Sequence, residues 1–198
     1  WFKESSGFNA SLVPYLNTFV NACKGGKRLR GVLIKLGFDL AKGRHPEIIK
    51  VAAAYEIFQT AILIHDDLID KSKVRRGIPS VHVSLGGDHY AVSQAICLGN
   101  AGNFLSVRLI SETGFDCQLK EKAIRLMLKI MHDTTLGQML DVEGSKKRKG
   151  LTEDDILDIY YRKTANYSFI GPLQIGAVLG GLDEDYLNKL EVIGKYLG

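Results

Sequence analysis

The most constraining feature of the sequence is a long apolar stretch that ends in three carboxylates. We expect one helix from residue 47 to about 71, after Pro46, whose fixed φ suits a first helical turn. At helical spacing Asp66 and Asp70 share one face, and Asp67 lies three residues before Asp70. Like charges one turn apart repel, and carboxylates at a helix C-terminus oppose the macrodipole. A divalent cation is the simplest compensation.

Helical periodicity recurs in almost every window, and no pair of alternating apolar and polar runs is joined by a tight turn. The sequence therefore predicts an all-α fold. Besides the apolar helix, the expected helices cover residues 12–22, 27–40, 89–112, 115–143, 153–180 and 184–197. The segment 144–150 is basic and rich in turn residues, and we interpret it as a solvated loop within one domain rather than a domain boundary.

The length and composition predict one globular domain over residues 1–198. The chain is 45% hydrophobic and 24% charged, which is enough to bury a sizeable core. It begins without Met and stops soon after an apolar helical pattern, so we expect the domain to be incomplete at its C-terminus. The net charge of +4 is modest and its basic residues are clustered locally, which fits small anionic ligands, and no nucleic-acid partner is expected.

The cysteines and the apolar runs indicate a cytoplasmic protein. Cys23, Cys97 and Cys117 are far apart and lack metal-ligand spacing, which argues against a disulfide framework and a zinc site. No transmembrane segment is expected, because Glu56 and Gln59 interrupt the longest apolar run before it reaches the roughly 18 residues that a membrane span needs.

Basic residues near glycines and near the carboxylates are candidate anion ligands. Lys27 and Arg30 follow two glycines at an expected helix start, where free N–H groups and the dipole favour an anion. A solvated basic turn is the alternative, since the full P-loop pattern is absent. Arg75 and Arg76 fit a multiply charged anion held with metal ions, or else a plain salt-bridge network. Gln59 lies two helical turns before Asp66 and can point to the same side.

Two further groups of polar residues lie on later helices. Gln138 and Asp141 are spaced i,i+3, and Lys163-Thr164 precedes Tyr167. Each pair alone is weak evidence, because a single Asp or Lys in an amphipathic helix usually faces solvent.

A second acidic string has the same spacing as the first but a different expected role. Asp154, Asp155 and Asp158 repeat the DDxxD pattern, and Thr152 precedes Asp155 by three residues. This is typical of a helix N-cap with acidic first-turn residues, where the dipole stabilises the carboxylates without a metal. His65 beside the first string is expected to pack or form a hydrogen bond, since Mg²⁺ and Ca²⁺ prefer oxygen ligands.

In order and spacing, these motifs resemble those of the trans-isoprenyl diphosphate synthases, the polyprenyl synthetase family. The matching motifs are Gly-Gly-Lys-Arg-Leu-Arg at 25–30, Asp-Asp-Leu-Ile-Asp at 66–70 followed by Arg75-Arg76-Gly77, Gly-Gln-Met-Leu-Asp at 137–141, and Lys-Thr-Ala-Asn-Tyr-Ser-Phe at 163–169. The family makes farnesyl, geranylgeranyl and longer diphosphates. The resemblance implies an all-α helical bundle with a central cavity, and a homodimer, with a heterodimer left open.

The resemblance also implies a condensation of isopentenyl diphosphate with an allylic diphosphate that depends on Mg2+. Asp66, Asp70 and Asp141 would hold the metal, with Asp67 in support. The allylic diphosphate would be bound by Arg75, Lys163, Thr164 and Gln138, with Tyr167 near the reacting end. Isopentenyl diphosphate would be bound by Lys27, Arg30, Gln59 and Arg76.

In this family the residues one and two turns before the first aspartate set the product length. Those positions are Phe58, Ala61 and Ile62. Ala61 is small, which predicts a product longer than farnesyl, and Phe58 would limit it to about geranylgeranyl or somewhat beyond.

Two departures from the family pattern leave two alternatives open. The family's usual Gly-Asp is Gly99-Asn100 here, and its second aspartate-rich motif would follow Gly198, so we expect this stretch alone to be inactive. A non-catalytic subunit of a heteromeric synthase is one alternative. A class I terpene cyclase is the other, although it would not need Lys27, Arg30 and Arg76.

Overall fold

A computed structural model describes residues 3–4, 7, 9–147, 150 and 152–198. The all-α prediction is confirmed, because helices account for most of the described residues. After a short 3-10 turn at Ala10–Leu12, the elements are α1 (Val13–Ala22), α2 (Leu29–Leu40), α3 (Ile48–Ile69), β1 (Val74–Arg75), β2 (Ile78–Pro79), α4 (Val81–Ser84), α5 (His89–Ser111), α6 (Cys117–Lys147), α7 (Glu153–Tyr160), a π-helical segment (Tyr161–Ile170), α8 (Gly171–Leu179) and α9 (Glu184–Leu197).

The chain groups into two compact units. The first unit contains residues 1–28 and 54–108, and the second contains residues 29–53 and 109–198. Helix α3 belongs to both, since residues 48–53 fall in the second unit and residues 54–69 in the first.

The core of the first unit is formed by α1, α3, α4 and α5. It contains Phe19, Ile64, Val81, Ala95 and Leu98. Glycines on α5 allow α3 to come close. A Cβ added at Gly99 would lie 2.2 Å from Nε2 of His65, and one at Gly102 would lie 3.0 Å from Cβ of Ala61.

The predicted packing role of His65 is confirmed. Its Nε2 lies 3.2 Å from the carbonyl oxygen of Ile96, and its ring occupies the space that Gly99 leaves open. The imidazole therefore links α3 to α5 at the end of α3 that carries the carboxylates.

The core of the second unit depends on a close crossing of α2 and α8. A Cβ added at Gly37 would lie 2.1 Å from the carbonyl oxygen of Leu173, and one at Gly176 would lie 2.0 Å from that of Ile34. Real Cβ contacts are much longer, so each glycine faces the backbone of the other helix. All residues of α8 are buried, as a helix in the centre of a unit must be.

The helix expected over 153–180 is helical from Glu153 to Leu179, but its centre is not an α-helix. Residues 161–170 are π-helical, and the N–H of Gly171 donates to the carbonyl oxygen of Asn166, five residues earlier. Pro172 follows at once and carries no amide hydrogen, so the carbonyl of Ser168 cannot accept the usual i+4 bond. The π-helix, a rare form that is frequent at functional sites, ends there.

A short hairpin is present that the apolar and polar pattern of the sequence does not indicate. Strands β1 and β2 pair antiparallel, with Arg75 opposite Ile78. The two turn residues, Arg76 and Gly77, have φ values of +53° and +78°. A two-residue type I′ turn requires positive φ at both positions, which explains the glycine.

Three element boundaries also differ from the expected ones. Helix α3 ends at Ile69 rather than near 71, because Lys71 has a φ of +55° and closes the helix in the left-handed conformation. Helix α2 begins at Leu29 rather than at 27. Helix α6 continues to Lys147, so Gly144 is helical and the first half of the loop expected at 144–150 is absent; residues 148, 149 and 151 lie outside the described residues.

Helix α3 is long and apolar enough to be compared with a membrane-spanning helix. Among the described residues it is the one helix that passes a test for a membrane span on length and composition, with a mean hydropathy of 1.4, so Glu56 and Gln59 interrupt the apolar run less than expected. Of its most apolar window, 56% is buried inside the protein. The helix also buries Gln59, Thr60 and Asp67, which is typical of a core helix with a polar function.

Candidate active site

The first acidic string, Asp66 to Asp70, lies where α3 ends. Asp67 is buried, with 3% of its surface exposed, Asp66 is partly buried, and Asp70 is exposed in the turn after the helix. The N–H of Asp70 donates to the carbonyl of Asp66, and that of Ser72 donates to the carbonyl of Asp67. These bonds use two of the last free carbonyls of α3 and hold the string in one conformation.

Arg75 neutralises two of the three carboxylates. Its Nε donates to Oδ1 of Asp67 at 2.9 Å, and its Nη2 donates to the same oxygen at 2.5 Å and to Oδ2 of Asp66 at 3.0 Å. The hydrogen bonds to Asp67, with the nearby charges of both carboxylates, raise the pKa of Arg75 above its ordinary value. The hairpin positions Arg75, because Arg75 is the last residue of β1 before the turn.

The oxygen-rich string fits Mg²⁺. Within the described ranges, no three His, Cys, Asp or Glu side chains come together as a closed set of ligands. Mg²⁺ does not require one, because it usually keeps several waters and binds one or two carboxylates together with substrate phosphates. Asp66 and the exposed Asp70, one turn apart, present such carboxylates.

The glycine loop before α2 lies against the other arginine of the hairpin. Gly25 and Gly26 have φ values of +76° and +81°, and a Cβ added at Gly26 would lie 3.0 Å from Cζ of Arg76. The left-handed backbone at Gly26 favours glycine, and a side chain there would also press on the movable end of Arg76. Lys27 lies next in the chain and is exposed.

Sequence reasoning missed the part played by Arg28. Its Nη2 donates to the carbonyl oxygen of Cys23 at 2.6 Å, and its Nη1 lies 3.8 Å from Oε2 of Glu56. Arg28 thus ties the glycine loop to α1 and α3. Its φ of +55° is a signal that only the structure could show.

A small pocket lies between the hairpin and α3 in the first unit. The polar side chains that line it are Thr60, Asp67, Arg75 and Arg76, together with Lys24 and Ser80. Two arginines and one lysine exceed the single carboxylate here, so this pocket favours an anion.

Gln59 and the residues proposed to set product length lie in the buried part of α3. Gln59 is 5% exposed, and its Oε1 is buried without a hydrogen-bond partner. Phe58 is buried, with its ring edge-on to Tyr55 at 5.5 Å. Ala61 is buried opposite Gly102, and Ile62 is partly buried. The close approach of α3 and α5 is therefore an additional reason for a small residue at position 61.

In the second unit the structure pairs Lys163 with Asp141. The Nζ of Lys163 donates to Oδ2 of Asp141 at 2.5 Å. The π-helical segment and α6 touch at Gly137, where an added Cβ would lie 2.8 Å from Cβ of Arg162 and 2.9 Å from the backbone nitrogen of Lys163. Gly137 therefore permits the approach that brings Lys163 to Asp141.

Arg30 contacts the π-helical segment as well. Its Nη2 donates to Oγ of Ser168 at 2.6 Å and to Oη of Tyr167 at 3.1 Å, and its Cζ lies 5.0 Å from the centre of the Tyr167 ring. From its motif, Tyr167 is expected near the reacting end, whereas no role is expected for Ser168. In the structure both side chains hold Arg30.

Gln138 and Thr164 are the remaining residues predicted for the allylic diphosphate. The Nε2 of Gln138 is buried and has no hydrogen-bond partner, whereas Thr164 is exposed.

The second acidic string, Asp154 to Asp158, caps α7 as predicted. The hydroxyl of Thr152 accepts from the N–H of Asp155 at 3.2 Å, and Oδ2 of Asp155 accepts from the N–H of Thr152 at 2.9 Å. Asp158 forms an ion pair with Arg162. Asp155 and Asp158 therefore have partners within α7, its cap and the segment that continues it.

Comparison with known proteins agrees with these arrangements. The model of the polyprenyl synthetase family matches residues 14–198. The chain belongs to this family. The resemblance inferred from the sequence motifs is thus confirmed.

Two relatives and one solved structure illustrate the match of this polyprenyl synthetase chain. A geranylgeranyl diphosphate synthase of Sulfolobus acidocaldarius is 30% identical over 176 residues, covering 88% of the chain and 51% of that protein. A geranylfarnesyl diphosphate synthase of Methanosarcina mazei is 32% identical over 174 residues, covering 88% and 54%. The crystal structure of geranylgeranyl pyrophosphate synthase from Corynebacterium glutamicum, complexed with isoprenyl diphosphate and magnesium, matches with a TM-score of 0.91 at 24% identity, covering 100% and 61%.

The match to the solved structure shows the fold. The matches to the two relatives show relatedness along most of the chain. The chain spans about half the length of the curated relatives it matches.

Proposed function

We propose that the full-length protein is a Mg²⁺-dependent trans-prenyltransferase. It joins isopentenyl diphosphate head-to-tail to an allylic diphosphate. The observation that carries the proposal is the first acidic string with Arg75, because it places carboxylates for a cation beside a guanidinium for a diphosphate. The names of the relatives, which are synthases of geranylgeranyl and geranylfarnesyl diphosphate, support it.

The carboxylates and Arg75 act together on the allylic diphosphate. Asp66 and Asp70 hold the cation, and Asp67 fixes Arg75 through Nε and Nη2. The Nη1 group takes no part in these bonds, so Arg75 can donate to a diphosphate oxygen without leaving Asp67. Mg²⁺, when bound, neutralises charge that develops on the departing diphosphate.

Lys163 and Asp141 serve the same substrate in the proposal. Asp141 accepts a hydrogen bond from the ammonium group of Lys163 and so fixes its position. In the proposal Lys163 binds a diphosphate oxygen, and Asp141 also contributes to a metal contact. Gln138 and Thr164 complete this subsite, and the unpartnered Nε2 of Gln138 is a donor that an anion would satisfy.

Lys27, Arg30, Gln59 and Arg76 form the proposed site for the diphosphate of isopentenyl diphosphate. The close contact of Arg76 with the glycine loop supports this assignment, as does the excess of positive charge in the pocket beside the hairpin. A terpene cyclase would have no use for this second set of cations.

The reaction requires positioning rather than a nucleophilic side chain. The bond between the allylic carbon and the diphosphate oxygen breaks, a carbon–carbon bond forms to the double bond of isopentenyl diphosphate, and the proton lost from the new chain goes to the released diphosphate. The residues of this chain bind, orient and neutralise charge. The product we propose is about geranylgeranyl in length or longer, with Ala61 permitting its growth and Phe58 limiting it.

We further propose that both units belong to one isoprenyl synthase domain of a cytoplasmic homodimer. Phe104 on α5 is 77% exposed, and Ile96, two turns earlier, is 45% exposed, so α5 offers an apolar face. Light scattering of wild type and of Phe104→Glu tests this, because the variant should lose dimers. A monomeric wild-type protein would contradict the proposal.

The enzyme test uses the full-length protein with Mg²⁺, isopentenyl diphosphate and each allylic primer in turn, followed by sizing of the products. We expect condensation products of geranylgeranyl length or longer, and loss of turnover in Asp66→Ala and Arg75→Ala with unchanged helicity by circular dichroism. Farnesyl alone would refute the interpretation of Ala61. Cyclised hydrocarbons would indicate a terpene cyclase, and a wild-type protein that gives no product would favour a non-catalytic subunit.

A further inference from the structure

Ser168 is a buried hydroxyl with no part in the reaction described so far. It lies in the π-helical segment, is 1% exposed, and accepts a 2.6 Å hydrogen bond from Nη2 of Arg30. We propose that Ser168 is a positioning residue, which fixes the guanidinium of Arg30 for the diphosphate of isopentenyl diphosphate. This inference rests on the proposed function of Arg30.

The geometry explains why the guanidinium needs a positioning group. Arginine has several rotatable bonds, and holding it in one conformation costs side-chain entropy. Ser168 and Tyr167 both accept from Nη2, and the Tyr167 ring lies close to Cζ, so the plane of the guanidinium is fixed. The hydrogens of Nη1 lie outside these two bonds, and Nε is buried without a hydrogen-bond partner, so Nε is a donor that a bound anion would satisfy.

Of the two acceptors, Ser168 is the more important for orientation. Its bond is the shorter, at 2.6 Å against 3.1 Å, and its hydroxyl is fully enclosed while Tyr167 is partly buried. A hydrogen bond from a charged donor in an enclosed site is stronger than one at the surface. Loss of the Ser168 hydroxyl should therefore release Nη2 more than loss of the Tyr167 hydroxyl.

Tyr167 and Ser168 both lie in the π-helical segment. On an α-helix, successive side chains point about 100° apart. The wider π turn makes this angle somewhat smaller, which is compatible with two consecutive hydroxyls that bond to one guanidinium.

Steady-state kinetics of the full-length protein test the inference. In Ser168→Ala we expect the KM for isopentenyl diphosphate to rise about tenfold, the effect of losing one hydrogen bond to a charged group. The kcat and the KM for the allylic substrate should stay within about twofold. Ser145→Ala is the matched control, because that hydroxyl bonds to a carbonyl of its own helix, and it should leave all constants unchanged.

A double-mutant cycle with Arg30 separates positioning from a structural role. In an Arg30→Ala background, Ser168→Ala should change the KM for isopentenyl diphosphate by less than about twofold, because its effect passes through Arg30. An unchanged KM in the single variant overturns the inference. So does an additive effect in the double variant, or an equal loss for both substrates with a lowered urea midpoint.

The same variants can also be compared by their stability to urea, which needs no activity assay. If Ser168 holds Arg30, the shifts in urea midpoint of the two single variants should not add in the double variant. Additive shifts would overturn the contact and hence the inference. A wild-type protein that forms no product would instead refute the proposed function, so the two failures are distinguishable.

Discussion

The two acidic strings of this chain have the same spacing of aspartates and opposite environments. The first lies at the C-terminal end of α3, where Asp67 is buried and Arg75 reaches it from a hairpin. The second begins in the first turn of α7, where Asp155 and Thr152 cap the helix, and its last member, Asp158, is half-buried. A DDxxD pattern alone therefore does not indicate a function. Its role depends on whether it lies at the N-terminal or the C-terminal end of its helix.

The difference follows from the helix dipole and from free backbone groups. At the start of a helix, N–H groups without partners stabilise carboxylates directly. At the end of a helix, the carbonyls oppose them, so an external cation is required. In the first string Arg75 supplies part of that charge, and the proposed Mg²⁺ supplies the rest.

The largest expected effect is on turnover, when aspartates of the first string and of the second are replaced by alanine. Asp66→Ala with Asp70→Ala should reduce turnover by on the order of a thousandfold, since metal-assisted charge stabilisation contributes several kcal/mol. Asp154→Ala with Asp158→Ala should leave turnover within about twofold. Product formation at fixed Mg²⁺ measures both pairs, and equal losses would show that the strings do not differ in function.

The second prediction concerns stability. Asp67→Ala should lower the free energy of unfolding by about 2 kcal/mol, because it leaves the partly buried Arg75 without its main partner. Asp158→Ala should cost about 0.5 kcal/mol or less, since its ion pair with Arg162 joins neighbouring turns of one helix and is partly open to solvent. Urea denaturation of both variants measures the contrast. A loss at Asp158 as large as that at Asp67 would contradict it.

The third prediction tests whether the hairpin turn supports Arg75. Gly77→Ala should cost about 1.5 kcal/mol, because a residue with a Cβ is strained in the left-handed conformation, although the space around Gly77 is open. Gly77→Asn is the matched control and should cost less, since Asn tolerates this conformation better. Thermal unfolding can rank the two variants; equal stability of Ala and wild type would exclude the turn as a constraint.

The smallest effect is expected at the cap of the second string. Thr152→Ala should cost about 1 kcal/mol, and Thr152→Ser should be nearly neutral because it keeps the capping hydroxyl. Circular dichroism with urea can measure both. A neutral alanine variant would mean that the acidic first turn alone holds the start of α7.

The sequence could predict the long helices because their apolar spacing extends over many turns. It could not predict the hairpin, since each strand has two residues and the turn is Arg-Gly rather than a common Asn-Gly. It also could not distinguish α- from π-helix over residues 161–170, where the two periods diverge too little to show in an apolar pattern.

The same contrast applies to the candidate site. Asp66, Asp67 and Arg75 were predictable as a group because they lie within ten residues of each other. The pairing of Lys163 with Asp141 and of Arg30 with Ser168 joins residues 22 and 138 positions apart. Contacts of that kind depend on the tertiary fold, and a single serine carries no signal of its own in the sequence.

The reciprocal glycine contact between α2 and α8 sets the register of the second unit. Arg30 lies seven residues before Gly37 on α2, and Ser168 lies eight residues before Gly176. Sliding one helix along the other by a single residue would move it about 1.5 Å and place a side chain against a backbone carbonyl. The 2.6 Å bond between Arg30 and Ser168 would not survive that displacement. Gly37 and Gly176 therefore fix the distance between Arg30 and Ser168, although that contact lies two helical turns away and neither glycine takes part in it.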